Sequence, residues 1–359
     1  MGPGPSDVHP RVLAATAQPT IGHLDPEFVG LMDDIKSLMR YAFQTQNSLT
    51  LPLSAPGSAA MEAAFANLIE PGDKVIVCIN GVFGNRMAEN VRRMGGDLVT
   101  VEDEWGTQVD PQKLKDTLRQ HPDTKVVGFV HAETSTGVCS DVKTLCAVAK
   151  EAGCLTIVDS VTGLGGVELR VDDWQVDVAY SGSQKCLSCP PGISLITYSD
   201  AAAARVKARN SAVQSWFLDL SLLMAYWEGD GARTYHHTAP VNAMYGLHEA
   251  LLMLHEEQLE NAWQRHREMH TLLADGLGEL GLNMVVDASY RLPQLNVVSV
   301  PGGVNEADVR RHLLSQYNLE IGAGLGVFAG KVWRIGLMGY AARKENVLLC
   351  VNALASALK

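Results

Sequence analysis

The stretch Leu155-Thr-Ile-Val-Asp159-Ser-Val161, read together with Ser181-Gly-Ser-Gln-Lys185 after the next apolar run, decides the fold. A short β-branched run that closes on a carboxylate predicts a buried strand with a charge at its carboxyl end, the edge at which open α/β sheets bind ligands. Lys185 stands at the same edge one strand later, among small residues instead of other charges, which is not the setting of a solvated lysine. Outward from this pair, β-branched runs at residues 74–78, 97–101, 126–131, 155–159, 176–181 and 193–198 alternate with amphipathic stretches at 84–94, 111–120 and 142–152. Strand, helix, strand in this rhythm predicts an α/β fold with a mostly parallel sheet covered on both faces.

Residues 242–280 contain few helix breakers and predict one long helix or two joined ones leading to a second unit. After Gly281 a strand at 295–300, a helix at 306–316, strands near Leu319 and Val332 and a helix from Arg343 predict a small C-terminal α+β domain. The expected division is an N-terminal arm over 1–20, a large α/β domain over 21–255 and the small domain over 256–359. Pro3, Pro5, Pro10 and Pro19 make the arm an extended segment in this reading, and such a segment must lie on something.

The 359 residues are 47% apolar and 19% charged, ordinary globular usage that excludes bulk disorder. Lys plus Arg number 29 against 40 Asp plus Glu, a formal net charge of −11, and no basic cluster is present to neutralise nucleic-acid phosphates. No apolar run approaches the ~18 residues of a membrane span, and no targeting signal is visible at either end, so a cytoplasmic location is expected. The seven cysteines, an odd and scattered set, read as reduced thiols.

Asp159 and Lys185 make joint chemical sense if the ligand is pyridoxal 5′-phosphate. A lysine amine with a pKa lowered by burial can form a Schiff base with the aldehyde, while a carboxylate keeps the pyridine nitrogen protonated. A phosphate cradle is also required, and Pro56-Gly57-Ser58-Ala59-Ala60-Met61-Glu62 leads small residues into a helix N-terminus. Taken singly, Asp159 also reads as a helix cap and Gly57-Ser58 as an ordinary helix start.

His131-Ala-Glu-Thr-Ser-Thr-Gly137, Val158-Asp159-Ser160-Val161, Ser183-Gln184-Lys185, Tyr235-His-His-Thr238 and Lys331-Val-Trp-Arg334-Ile-Gly resemble the class V aminotransferases of the alanine–glyoxylate and serine–glyoxylate type. The resemblance runs through nearly the whole chain. It implies a fold-type I pyridoxal-phosphate transferase, a homodimer that moves an amino group from a small amino acid, alanine foremost, to glyoxylate by a ping-pong route giving pyruvate and glycine. Serine and (S)-ureidoglycine are the alternative donors. It further implies that Lys185 carries the cofactor and the proton, that Asp159 meets the pyridine nitrogen, and that Val161 and Phe83 cover the two ring faces. Thr134 would bond the phenolic oxygen, Gly57, Ser58, Ala59 and Gln184 would bind phosphate, and Tyr235 and Thr238 would reach it from the neighbouring subunit. Arg334 would clamp the substrate carboxylate, with Gly22 close to the substrate. Pro56, Cys186 and Cys189 depart from the family's usual residues.

Three rival readings compete. Cys186-Leu-Ser-Cys189 is a C-x-x-C, but no second ligand pair completes a zinc set, so no metal is expected. Gly324-Leu-Gly326-Val-Phe-Ala329 matches a dinucleotide fingerprint of an NAD-dependent oxidoreductase, yet it lies outside the strand-rich half. A cysteine desulfurase would need a nucleophilic cysteine on a late loop, whereas Cys350 falls in the amphipathic terminal helix. For Arg334 the bland alternative is an edge-strand arginine paired with a structural carboxylate.

Overall fold

The computed structural model describes residues 1–227 and 234–359. In chain order the large unit comprises α1 (Pro10–Thr16), α2 (Pro26–Phe43), β1 (Leu49–Leu53), α3 (Gly57–Leu68), β2 (Lys74–Ile79), α4 (Val82–Arg93), β3 (Asp97–Glu102) and α5 (Pro111–Gln120). It continues through β4 (Val126–Val130), β5 (Ala132–Glu133), β6 (Val138–Cys139), α6 (Val142–Glu151), β7 (Leu155–Asp159), β8 (Val178–Gly182) and β9 (Ser194–Tyr198). Then follow α7 (Asp200–Lys207), α8 (Leu220–Trp227), α9 (Val241–Glu257) and α10 (Leu259–Glu279). The C-terminal part holds β10 (Leu295–Ser299), α11 (Glu306–Tyr317), β11 (Gly322–Ala323), β12 (Val332–Gly336) and α12 (Lys344–Ala357).

Seven strands form one sheet in the order β1-β9-β8-β7-β4-β2-β3. The β3-β2-β4-β7-β8 pairings are parallel, and β9 alone runs against its neighbours β8 and β1. The strands β2, β4, β7 and β8 are buried nearly throughout, as expected of a sheet covered on both faces. Because β1, β2, β4, β7 and β8 share one direction, the residues that follow them emerge along one edge. Gly57, Phe83, Thr134, Asp159 and Lys185 all leave the sheet there.

The expected helical region after residue 242 is two helices, broken at Gln258, whose φ of 70° no regular helix accommodates. One apolar core runs from Val12 to Trp263, and a second, from Leu273 to Leu354, sits under the three-stranded sheet β10-β12-β11. Arg334 lies on β12, the central strand of that sheet, so the alternative of an edge-strand arginine does not hold. No helix among the described residues is long and apolar enough to cross a membrane.

The arm corrects another expectation: residues 10–16 are helical, not extended. Pro10 occupies the first helical turn, where its missing N–H and fixed φ favour the helix, and His9 Nδ1 accepts from the Arg11 N–H at 3.1 Å. The helix α1 buries Val12 against α9, where the absence of a side chain at Gly246 admits it: a Cβ there would stand 2.6 Å from Thr16 Cγ2. We expect Gly246→Val to destabilise the fold by about 1–3 kcal/mol through overpacking, read as a lower Tm in thermal denaturation. An unchanged Tm would mean that α1 moves aside freely.

Candidate active site

Asp159 ends β7 and is 2% exposed. One carboxylate oxygen accepts from the Val161 N–H at 2.9 Å and the other from the Tyr180 hydroxyl at 3.0 Å. Tyr180 is the residue beside Asp159 in the β7–β8 register, so the sheet itself sets this bond. Burial pushes the Asp159 carboxyl up to about 6, against the pull of these two donors and of the Arg86 and Lys185 charges. A cationic N–H donor against this group would restore its charged form.

Lys185 follows β8, and burial lowers its amine to about 8, with the Arg334 charge acting in the same direction. Its Nζ donates to the Pro3 carbonyl at 2.6 Å. The arm is tied down around it: the Ser6 N–H donates to the Gln184 carbonyl at 2.8 Å, the Ser6 hydroxyl to the Lys185 carbonyl at 2.8 Å, and the Gly336 N–H to the Met1 carbonyl at 2.8 Å. Gly4 has a φ of +104°, and a Cβ on it would overlap the Lys185 amine. Only glycine meets both conditions.

The helix α3 begins without a side-chain cap, since Pro56 precedes it, and without an acidic residue in its first turn. The Gly57 and Ser58 N–H groups are thereby left for another acceptor, while the Ala59 N–H donates to the Pro56 carbonyl at 2.8 Å. Gly57 brings the backbone close to the Asp159 loop, because a Cβ there would lie 3.2 Å from Val161 Cγ2. Ser58 is exposed, half-buried Ala59 follows it, and Arg86 donates to the Ser58 hydroxyl at 3.2 Å. The Gln184 side-chain oxygen is sealed from solvent without a partner. The start of α3 and the Arg86 guanidinium together form an anion cradle.

Phe83 lies in the first turn of α4, half-buried, with the Arg86 guanidinium 4.9 Å from its ring centroid. Beneath it sits a residue that sequence reasoning missed. Glu133 is fully buried, and one of its oxygens accepts from the Phe83 and Gly84 N–H groups at 3.1 and 3.4 Å, the other from the Ser135 N–H and hydroxyl at 3.0 and 2.5 Å. It thus caps α4 from β5, fifty residues further along the chain. Burial pushes its carboxyl up to about 7, opposed by the Ser135 bonds. The signal in the sequence was an acid between small residues directly after a fully apolar strand.

Thr134 is buried, and its hydroxyl bonds that of Thr162 at 2.7 Å. Its carbonyl accepts from Arg334 Nη1 at 3.1 Å, while Arg334 Nε donates to the Ala323 carbonyl at 2.7 Å. Arg334 is 7% exposed, and no carboxylate among the described residues lies within 4.0 Å of it. Burial lowers its pKa, and the nearby Glu133 charge opposes the shift.

Tyr235, Thr238 and Gly22 stand apart from these residues. Tyr235 is 60% exposed, and its hydroxyl bonds that of Thr238 at 3.3 Å. Gly22 and Thr238 line a separate surface cavity of about 420 Å³. Cys186 and Cys189 are buried free thiols, both pushed up to about 12 by burial. Residues Gly326–Phe328 form a short 3₁₀ turn after β11, not the strand-to-helix turn of a dinucleotide site, and Cys350 is fully buried in α12.

A buried carboxylate and a buried lysine at adjoining strand ends, an anion cradle and an aromatic face define a fold-type I pyridoxal-phosphate enzyme, and the uncapped start of α3 with the Arg86 guanidinium beside Ser58 fits the cofactor's phosphate end. The aminotransferase class-V profile matches residues 11–348. An alanine–glyoxylate aminotransferase from Rattus norvegicus is 42% identical over 361 residues, covering 100% of this chain and 87% of that protein. An (S)-ureidoglycine–glyoxylate transaminase from Bacillus subtilis is 38% identical, covering 100% and 90%. The crystal structure of an alanine–glyoxylate aminotransferase from Nostoc sp. superposes with a TM-score of 0.98 at 46% identity, covering 100% and 94%. The chain belongs to the class-V aminotransferases.

The Tyr180–Asp159 bond yields a test on the apoprotein. Its affinity for pyridoxal phosphate should weaken on the acid side with a midpoint near the Asp159 value of about 6. Tyr180 stabilises the charged carboxylate, so Tyr180→Phe should raise the carboxyl pKa and move that midpoint to higher pH. Fluorescence titration across pH reads it; an unmoved midpoint would detach Tyr180 from the site's electrostatics.

Proposed function

We propose that the enzyme transfers the amino group of a small amino acid, alanine foremost, to glyoxylate, releasing pyruvate and forming glycine in two alternating half-reactions. The observation that carries the reading is Arg334, a buried guanidinium whose hydrogen bonds go only to main-chain carbonyls. Alanine, pyruvate, glyoxylate and glycine all carry a carboxylate next to the reacting carbon, so one bidentate clamp serves both half-reactions. The rat relative and the Nostoc structure support alanine as donor.

Bound pyridoxal phosphate supplies the electron sink and carries the amino group between the half-reactions. In this reading Lys185 Nζ, lowered to about 8 by burial, is the base that takes the α-proton and later returns one. Asp159 holds the proton on the pyridine nitrogen, and Phe83 and Val161 cover the ring faces. Thr134 positions the phenolic oxygen. Gly57, Ser58, Ala59 and Gln184 receive the phosphate at the start of α3. The arm excludes water from the amine, since Pro3 and Gly4 lie directly on it.

The exposed Tyr235–Thr238 pair supports a homodimer in which these residues reach the partner's phosphate, with Gly22 near the same boundary. An isologous dimer would let each chain complete the other's site. Mixing Lys185→Ala chains with chains carrying Tyr235→Ala and Thr238→Ala should then restore activity in mixed dimers, each holding one intact site. Mixed dimers, verified by mass, that stay inactive would refute the shared site.

The similarity to the ureidoglycine transaminase keeps (S)-ureidoglycine as a second donor, with serine beside it. A donor panel against glyoxylate, followed by cofactor absorbance in each half-reaction, ranks them. Arg334→Lys should lower kcat/KM for donor and glyoxylate alike by about 2–5 kcal/mol in transition-state terms, roughly 30- to 4000-fold, with cofactor affinity retained. Unchanged kcat/KM together with a lower Tm would make Arg334 a scaffold residue.

A further inference from the structure

A cavity of about 480 Å³ lies outside this site, where α9, the start of α10, the arm and the turn between β12 and α12 meet. Its size falls within the ~300–1,000 Å³ of small-molecule sites. Ala250, Met253 and Leu254 of α9 and Leu187, two residues beyond the active-site lysine, give it an apolar wall; Tyr340 and Arg343 close the other side.

The charges around it are matched with one exception. Glu256 pairs with Arg11 at 2.7 Å and Glu257 with Arg265 at 2.5 Å. Arg265 uses its remaining donors on the Gly339 and Ala342 carbonyls at 2.7 and 3.3 Å. Arg343 has no such partner. Its guanidinium carbon stacks 3.9 Å from the Tyr340 ring centroid, its Nε is sealed from solvent without an acceptor, and no carboxylate among the described residues lies within 4.0 Å. Stacking fixes the plane of the guanidinium, and a fixed fork without a counter-charge suits a carboxylate, which accepts two parallel N–H bonds. A dianionic phosphate would want a second free cation, and Arg265 and Arg11 are both neutralised.

We propose that this cavity binds a monocarboxylate with a compact hydrocarbon body, its carboxylate on Arg343 and its body against α9. The site is wired to the active centre. The Tyr340 N–H donates to Ser188 Oγ at 2.8 Å, Ser188 Oγ bonds Ser6 Oγ at 2.9 Å, and Ser6 Oγ donates to the Lys185 carbonyl at 2.8 Å. Tyr340 therefore belongs both to the anchor for the ligand and to the chain that seats the lysine. Binding there does not depend on which amino donor the enzyme uses.

Calorimetric titration of the holoenzyme with 4-methylpentanoate tests the site. The substrate site also takes carboxylates, so the titration is repeated on Arg334→Lys and on Arg343→Gln holoenzymes. Saturable binding should persist in Arg334→Lys, weaken roughly 30-fold or more in Arg343→Gln, and be nearly absent with the uncharged 4-methylpentan-1-ol. Met253→Trp, which fills the cavity without touching the guanidinium, should block binding equally and carries the test if Arg343→Gln does not fold. Binding that survives both Arg343→Gln and Met253→Trp but is lost in Arg334→Lys would place the ligand in the substrate site and overturn the proposal. Absence of saturable heat at millimolar ligand would overturn it too.

Discussion

The structure turns on keeping a carboxylate buried at the end of β7. Removing Asp159 from water opposes its charge, and the sheet answers with two donors, the Val161 N–H and the Tyr180 hydroxyl. Both donors depend on strand register, since Tyr180 is the Cα partner of Asp159 across the parallel pair. Burial also drives the lysine one strand away, so that the same exclusion of water moves an acid up to about 6 and an amine down to about 8. Groups pushed toward neutrality from both sides are poised for proton work near neutral pH.

A second buried pair, Arg334 from the small unit and Glu133 from the large one, lies beside the first. Arg334 on β12 spans to the Thr134 carbonyl, and Glu133, adjacent in sequence, caps α4 beneath Phe83. The two charges feel each other without forming a contact pair. That separation leaves the guanidinium without a carboxylate partner among the described residues while the Glu133 charge partly balances it.

Much of this was legible in one dimension. Asp159 and Lys185 stand where short apolar runs end, and periodicity locates such ends in an α/β chain, whereas Gly57 was read from the small residues that open α3 and the strand before it, β1, went unread. The parallel large sheet and the small C-terminal unit followed from the same periodicity. What escaped depends on register and distant packing. Tyr180 reads as one more apolar strand residue until the β7–β8 alignment sets it beside Asp159. Glu133 reads as a loop acid until α4 is laid over it. The central position of β12 is invisible because β11, its second partner, is two residues long. In the arm the prolines carried two meanings, extended chain or helix start, and Pro10 took the second because His9 caps the helix and Gly246 admits it.

The arm then joins the two units at the reacting end of the molecule. Met1 bonds the main chain at the end of β12, Pro3 meets the lysine amine, Ser6 ties to the lysine's own backbone, and α1 locks onto α9. A segment held at four places along its length is ordered by the fold it crosses and not by its own propensity, which accounts for an arm so rich in proline and glycine being placed so firmly. Around the lysine its contacts are to main-chain carbonyls and to the Lys185 amine, while farther on Arg11 pairs with Glu249 and Glu256. The Lys185 amine therefore meets a segment that is anchored at its other end on the small sheet that carries Arg334.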